Sequence, residues 1–112
     1  MKADQRDDVR REFADAVNMT AGELDRWLHG DDSREVGQKK GGGGESTGHA
    51  SGRRIVELLR RRKDDLTDDD LAHMRKVVGY VHRHLAQRPK GDIADTPWRF
   101  SLMNWGHDPL KS

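Results

Sequence analysis

Apolar residues recur every three or four positions along most of the chain, and this spacing predicts amphipathic helices. The first predicted helix covers residues 4–17. The second begins at Thr20, whose hydroxyl can form a capping box with Glu23, and it ends near Gly30. Because no stretch of the chain alternates for long between apolar and polar residues, no strand is predicted.

Three further helices are predicted in the second half of the chain. The third covers about residues 52–63, and the fourth begins after the cap Thr67 and ends before Pro89. The fifth begins after the cap Thr96, with Pro97 in its first turn, and ends near Gly106. Their apolar stripes are Ile55, Leu58 and Leu59, then Leu71, Met74, Val78, Val81 and Leu85, then Trp98, Leu102 and Trp105. The sequence therefore predicts an all-α fold: one domain over residues 1–112, built as a compact bundle of about five helices with a glycine-rich loop before the third.

The glycine-rich loop, KKGGGGESTGHASGRR, has two interpretations. In one, Gly41–Gly44 is a flexible surface loop and Ser51 caps the third helix. In the other, a phosphate binds at the start of that helix, held by the Ser51 hydroxyl, the unpaired amides of Gly52 to Arg54 and a guanidinium. No P-loop or dinucleotide-binding pattern is present, so the motif alone does not select the second interpretation.

Composition and charge limit the functions that this fold can have. Of 112 residues, 37% are charged and 32% are hydrophobic, so the core is small and we expect no deep enclosed pocket. The net charge is +1, with −3 over residues 1–52 and +4 over residues 53–112, so the second half permits a polyanionic partner. Since cysteine, an apolar signal segment and a membrane-length apolar run are absent, we expect a soluble cytoplasmic protein without a membrane partner.

No arrangement of residues typical of catalysis or of a metal site is present in the sequence. Histidine occurs six times, but His82 and His84 are two positions apart on the fourth predicted helix and therefore point to different sides. The acids between Asp64 and Asp70 surround a helix start, where carboxylates interact favourably with the helix dipole. We therefore expect a non-enzymatic protein without a metal or cofactor.

Basic side chains outside the apolar stripes favour nucleic-acid binding through phosphate contacts. The candidate residues are Ser51, Gly52, Arg53, Arg54, Arg60, Arg61, Lys76 and Arg83. Gly79 lowers the stability of its helix by about 1 kcal/mol relative to alanine, so we expect a close approach there, by a neighbouring helix or by a ligand. Trp98, Phe100 and Trp105 could stack on bases, but their helical spacing favours the core. The alternative is a protein-interaction or stress-associated module that binds a protein partner or forms a homodimer, without nucleic acid.

Four longer motifs resemble a known family. They are VNMTAGELDRWL, ESTGHASGRRIVELLR, HMRKVVGYVHRHLAQRP and WRFSLMNWGHDPLK, in this order over nearly the whole chain. They resemble the uncharacterised family numbered 3140 among the domains of unknown function, whose members are small helical proteins, some of them labelled DNA-binding. The resemblance implies a helical fold and supports the nucleic-acid hypothesis. It implies no catalytic residues, because none are defined for that family.

Overall fold

Six α-helices make up the part of the chain that the computed structural model describes, residues 2–36 and 47–111. They are α1 (Ala3–Ala16), α2 (Ala21–Leu28), α3 (Asp31–Glu35), α4 (Thr47–Arg60), α5 (Asp68–Leu85) and α6 (Pro97–Asn104), with a 3-10 turn over Lys63–Asp65. No strand occurs in these two ranges, so the predicted all-α class is confirmed. The predicted loop Gly41–Gly44 lies outside the described residues.

Caps that the sequence predicts set the start of three helices. The Thr20 hydroxyl accepts a hydrogen bond from the Glu23 amide at 3.2 Å, and the Glu23 carboxylate accepts one from the Thr20 amide at 2.8 Å. Thr67 and Asp70 form the same reciprocal pair at the start of α5, and Thr96 caps α6. Each cap satisfies amides that have no partner within the first turn of a helix.

The start of α4 differs from the prediction. α4 begins at Thr47, more than one turn before the predicted start at Gly52, so Ser51 lies inside the helix and does not cap it. Gly52 is buried, and a Cβ atom there would lie 2.5 Å from the backbone oxygen of Asn104 and 2.7 Å from Leu28 Cδ2. Glycine is a poor helix former, but here it allows α4 to lie close to α6 and α2, and this packing outweighs the low propensity.

The short helix α3 is a second difference, since the sequence predicts an irregular segment from Asp31 onwards. Ser33 anchors α3 to α6: its hydroxyl donates to Asn104 Oδ1 at 2.5 Å, and its backbone oxygen accepts a hydrogen bond from Asn104 Nδ2 at 3.1 Å. Both residues are buried. α3 is therefore stabilised by contacts with α6 and not by an apolar periodicity of its own.

The core lies between two pairs of helices. α1 packs on α5, α2 packs on α4, and α6 contacts both α4 and α5. The apolar stripes of the sequence analysis fill this core, with Leu59 and Leu85 at its partly buried edge. Stripe residues with no exposed surface are Ile55, Leu71, Val81 and Leu102. Among the described helices, none is long and apolar enough to cross a membrane.

The segment after α6 folds back onto the loop between α1 and α2. Gly106 ends α6 with a φ of +83°, in the left-handed region that favours glycine. Asn18 and Asp108 exchange two hydrogen bonds between side chain and backbone, of 2.9 and 2.8 Å. The Arg99 guanidinium also donates two hydrogen bonds to the Asp108 carboxylate, at 3.1 and 3.0 Å. These contacts tie α6 to the loop between α1 and α2.

Candidate functional site

Positive charge is concentrated on one side of α5. From Leu71 to Gly91 the chain contains no Asp or Glu, whereas five Lys or Arg and three His residues occur there. Four of these side chains are exposed on α5 outside its buried stripe, and we call them the basic face: Arg75, Lys76, His82 and Arg83. Positions 75 and 76 are adjacent, and positions 82 and 83 follow them about two helical turns later. The four side chains therefore lie on one side of α5. The basic face therefore attracts anions without competing carboxylates in the same run.

Gly79 lies within the basic face, and the close approach expected at this glycine is made by Arg83. A Cβ atom on Gly79 would lie 3.0 Å from Arg83 Nη1, so the guanidinium rests over the glycine. The approach therefore comes from a side chain of the same helix and not from a neighbouring helix. The Arg83 guanidinium therefore lies along the surface of α5.

A buried carboxylate ties the N-terminal end of α5 to α4. Asp70 is 6% exposed, and its oxygens accept hydrogen bonds from Arg61 at 2.5 Å and from Arg54 at 3.4 Å. The Thr67 amide, which donates to this carboxylate at 3.0 Å, lowers the pKa of Asp70 most. Burial opposes that shift, Arg61 adds to it, and the resulting pKa is about 2. Arg54 and Arg61, two of the predicted phosphate contacts, therefore connect α4 and the residue after it to the start of α5.

The remaining predicted arginines and the lysine lie on two different helices. Lys76 and Arg83 belong to the basic face, whereas Arg53 and Arg60 are exposed on α4. The Asp25 carboxylate lies 4.0 Å from the Arg60 guanidinium, and its negative charge weakens the attraction of Arg60 for an anion. The eight predicted residues thus belong to two separate segments of the chain, and two of them, Ser51 and Gly52, are buried.

The anion site predicted at Ser51 and Gly52 differs from the structure, because both residues lie inside α4 and not at its start. Their amides lie in the second turn of α4, where carbonyl oxygens of the preceding turn accept their hydrogen bonds. Ser51 is 5% exposed, and its hydroxyl shares a hydrogen bond of 3.1 Å with His73 Nε2. The unpaired amides that the prediction requires are therefore not at these positions, because the helix starts earlier.

A stack of aromatic and imidazole rings connects α5 with α6. We call it the ring stack, and its members are His73, Trp105, Tyr80, His84 and Trp98. Successive ring centroids are 6.4, 4.2, 5.3 and 5.7 Å apart, and the interplanar angles lie between 12° and 15°. Trp98 and Trp105 are 9% and 4% exposed, so the predicted core position of both is confirmed. The stack was not predicted from the sequence, although His73, Tyr80 and His84 are seven and four positions apart and so share one side of a helix.

Hydrogen bonds and charges act at both ends of the ring stack. Trp98 Nε1 donates to the backbone oxygen of His84 at 2.8 Å, and His84 Nε2 lies 3.0 Å from the backbone oxygen of Trp98. At the other end, burial lowers the pKa of His73, and the positive charges of Arg54 and Lys76 lower it further. His73 is therefore neutral at neutral pH, and the permanent charge of this region comes from Lys and Arg.

A shallow cavity between α1 and the 3-10 turn is a second charged site. Its lining residues are Ala3, Arg6, Asp7, Arg10, Lys63 and Asp64. Arg6 donates to Asp68 and to the backbone oxygen of Leu66, both at 2.8 Å, and Arg10 is paired with Asp7. Because Arg6 and Arg10 already contact carboxylates, this cavity suits a phosphate less well than the basic face does. Within the described ranges, no three His, Asp or Glu side chains converge as metal ligands.

Stability in the acid range should depend on Asp70. Its pKa of about 2 in the folded protein lies below the ordinary value of 3.8, so its contribution is complete above about pH 4 and is lost as the pH falls towards 2. At neutral pH, Asp70→Asn should lower the free energy of unfolding by about 1–2 kcal/mol, because it removes the charge that pairs with Arg54 and Arg61. The loss stays in this range because both guanidinium groups are partly exposed to water. Thermal unfolding from neutral pH to about pH 2 should show this difference shrinking below about pH 4.

Asp69→Asn is the matched control for that measurement. Asp69 lies in the same turn of α5 but is exposed, so its substitution should change the free energy of unfolding by less than about 0.5 kcal/mol. A difference between Asp70→Asn and the unchanged protein that stays constant down to the lowest pH would contradict the role of the Asp70 carboxylate.

Comparison with known proteins supports the resemblance of the four sequence motifs. A family model described as "Protein of unknown function (DUF3140)" matches residues 12–103, which is most of the chain and includes all of α5. In the same comparisons, no curated protein and no solved structure is similar to the chain. The order of the motifs and the extent of the family match lead to the same assignment: the chain belongs to the DUF3140 family of proteins of unknown function.

Proposed function

We propose that this protein is a cytoplasmic, non-enzymatic nucleic-acid-binding protein that contacts DNA phosphates through the basic face of α5. The observation that carries the proposal is the run from Leu71 to Gly91, which lacks acids and presents Arg75, Lys76 and Arg83 on one exposed side of a helix. Lys and Arg side chains that neutralise phosphates release condensed counterions, and this release supplies much of the binding free energy of such proteins.

The proposed contacts differ in part from the candidates of the sequence analysis. Lys76 and Arg83 are retained because both are exposed on the basic face. Arg54 and Arg61 are left out because they bind the Asp70 carboxylate, and releasing them would leave a buried charge without its partners. The two exposed arginines of α4 remain candidates for additional contacts.

Substitutions on the basic face test the proposal. A triple variant with Arg75→Ala, Lys76→Ala and Arg83→Ala should bind duplex DNA more weakly for every base sequence, because phosphate contacts carry no sequence information. Each lost contact should lower the magnitude of the slope of log K against log salt concentration by roughly 1. Fluorescence anisotropy with labelled DNA over a salt series measures both quantities.

Arg11→Ala is the matched control for the triple variant. Arg11 is exposed on α1, the helix that packs against the buried side of α5, so its loss should leave the affinity and the salt slope unchanged. Thermal unfolding of each variant checks the fold, since exposed arginines usually contribute within about 0.5 kcal/mol. If the unchanged protein binds no DNA or RNA even at low salt, the proposal is wrong.

A protein-interaction module that binds no nucleic acid is the second candidate function. The ion pairs of Arg54 and Arg61 with Asp70 favour this second candidate, because these two cations stabilise the fold and are not available to bind phosphates. An acidic protein segment or a second copy of the chain would then be the partner of the basic face. A concentration-dependent mass in sedimentation, together with no binding to nucleic acid, would support this alternative.

A further inference from the structure

The packing of the aromatic side chains bears on the kind of nucleic acid that this protein binds. Proteins that bind single strands commonly stack bases on exposed aromatic rings, and each stacked base contributes about 1–3 kcal/mol. All six Phe, Tyr and Trp residues of this chain lie in the described ranges, and none of them is exposed. Three are buried and three are half-buried: Phe13, Trp98 and Trp105, then Trp27, Tyr80 and Phe100.

The half-buried rings are already in contact with other rings. Tyr80, on the same helix as the basic face, is nearly parallel to Trp105 at a centroid distance of 4.2 Å and to His84 at 5.3 Å. Trp27 packs on Phe100 at a centroid distance of 5.3 Å. Because Tyr80 already stacks on two rings, a base could stack on it only by replacing one of these contacts, which would remove most of the gain. The aromatic residues therefore do not form a platform for unpaired bases.

The basic face is carried by a rigid helix. α5 has 18 residues, starts with the Thr67–Asp70 capping box and packs its buried stripe in the core. Lys76 and Arg83 are two turns apart, about 10 Å along the helix axis. In a duplex the phosphates are also fixed, so binding orders few groups, whereas a single strand loses conformational freedom when it binds to a fixed array.

We infer that the ligand of the basic face is duplex DNA, bound through its phosphates, and not a single strand; this inference rests on the proposed function. The duplex carries one negative charge per about 1.7 Å of its axis, and its phosphate contacts depend more steeply on salt than those of a single strand. Its major groove, about 12 Å wide, admits one α-helix such as α5. Cations carried by a rigid helix, without an open aromatic ring beside them, therefore fit the duplex.

Competing ligands of equal length test the inference. The probes are a fluorescein-labelled duplex of about 20 base pairs with a mixed sequence, and each of its two strands alone, at low salt. The unchanged protein should bind the duplex at least about tenfold more tightly than either strand. Intrinsic tryptophan fluorescence should not be quenched by the single strands, because Trp98 and Trp105 are buried and Trp27 is half-buried against Phe100.

His82→Ala gives a second measurement, because His82 is the exposed ring of the basic face. A selective loss of single-strand binding in this variant would show that bases stack on the imidazole, and it would overturn the inference. Single strands bound as tightly as the duplex, or more tightly, would overturn it as well but would leave the proposed function intact. If neither probe binds, the proposed function fails and the inference fails with it.

Discussion

Gly52→Ala should destabilise this protein by about 3 kcal/mol, since overpacking a closely packed site costs this order of free energy. The alanine Cβ atom would lie 2.5 Å from the backbone oxygen of Asn104 and 2.7 Å from Leu28 Cδ2. The oxygen belongs to the backbone of α6, so it can retreat only if α6 shifts. Thermal unfolding followed by circular dichroism should show a melting temperature lower by about 10 °C or more.

Gly79→Ala is the matched control, because it makes the same change in the interior of α5. The new Cβ atom would approach Arg83 Nη1 at 3.0 Å, and this end of a flexible side chain can move away. The higher helix propensity of alanine should then raise the free energy of unfolding, by up to about 1 kcal/mol. If both substitutions changed the melting temperature in the same direction and by the same amount, the close packing of α4 against α6 at Gly52 would be refuted.

Asn104→Leu should lower the free energy of unfolding by about 2–4 kcal/mol, because it leaves several polar groups of the interior without hydrogen bonds. Asn104 is 1% exposed, and its Oδ1 accepts hydrogen bonds from Trp27 Nε1 at 2.8 Å and from the Ser33 hydroxyl at 2.5 Å. Its Nδ2 donates to the backbone oxygen of Ser33 at 3.1 Å. Urea unfolding of the variant and of the unchanged protein measures the difference.

A double-mutant cycle with Ser33→Ala isolates the side-chain contact. Removing the hydroxyl together with the asparagine deletes both partners, so the double variant should lose less stability than the sum of the two single losses. The expected coupling is about 1 kcal/mol, because one neutral hydrogen bond is removed in the cycle. Strict additivity of the two losses would mean that the contact between the Ser33 hydroxyl and Asn104 does not stabilise α3 against α6.

The candidate site could be predicted from the sequence only in part. Lys76 and Arg83 are found on the surface because their positions fall outside the apolar stripe of one helix, and that stripe has a period visible in the sequence. The structural role of Arg54 and Arg61 could not be found in this way. Their partner Asp70 lies on α5, and only the tertiary fold brings it next to these two arginines.

The ring stack, too, could be predicted from the sequence only in part. The spacing of His73, Tyr80 and His84 along α5 places their side chains on one side of the helix, and this part can be read from the sequence. Trp98 and Trp105 come from α6 and its C-terminal end, and only the packing of α6 against α5 brings them next to these rings. A stack of this kind has no sequence signature because its members are distant along the chain.

The sequence by itself determined the helical class, the caps at Thr20, Thr67 and Thr96, and the apolar stripes of the core. These features depend on residues within about four positions of one another, so their physical causes are visible in a short stretch of sequence. The tertiary structure alone decided where α4 begins, that α3 forms, and which cations remain exposed. Those outcomes depend on contacts with Asn104 and Asp70 across the fold, and the free energy of such contacts exceeds the local preferences of glycine, serine and arginine.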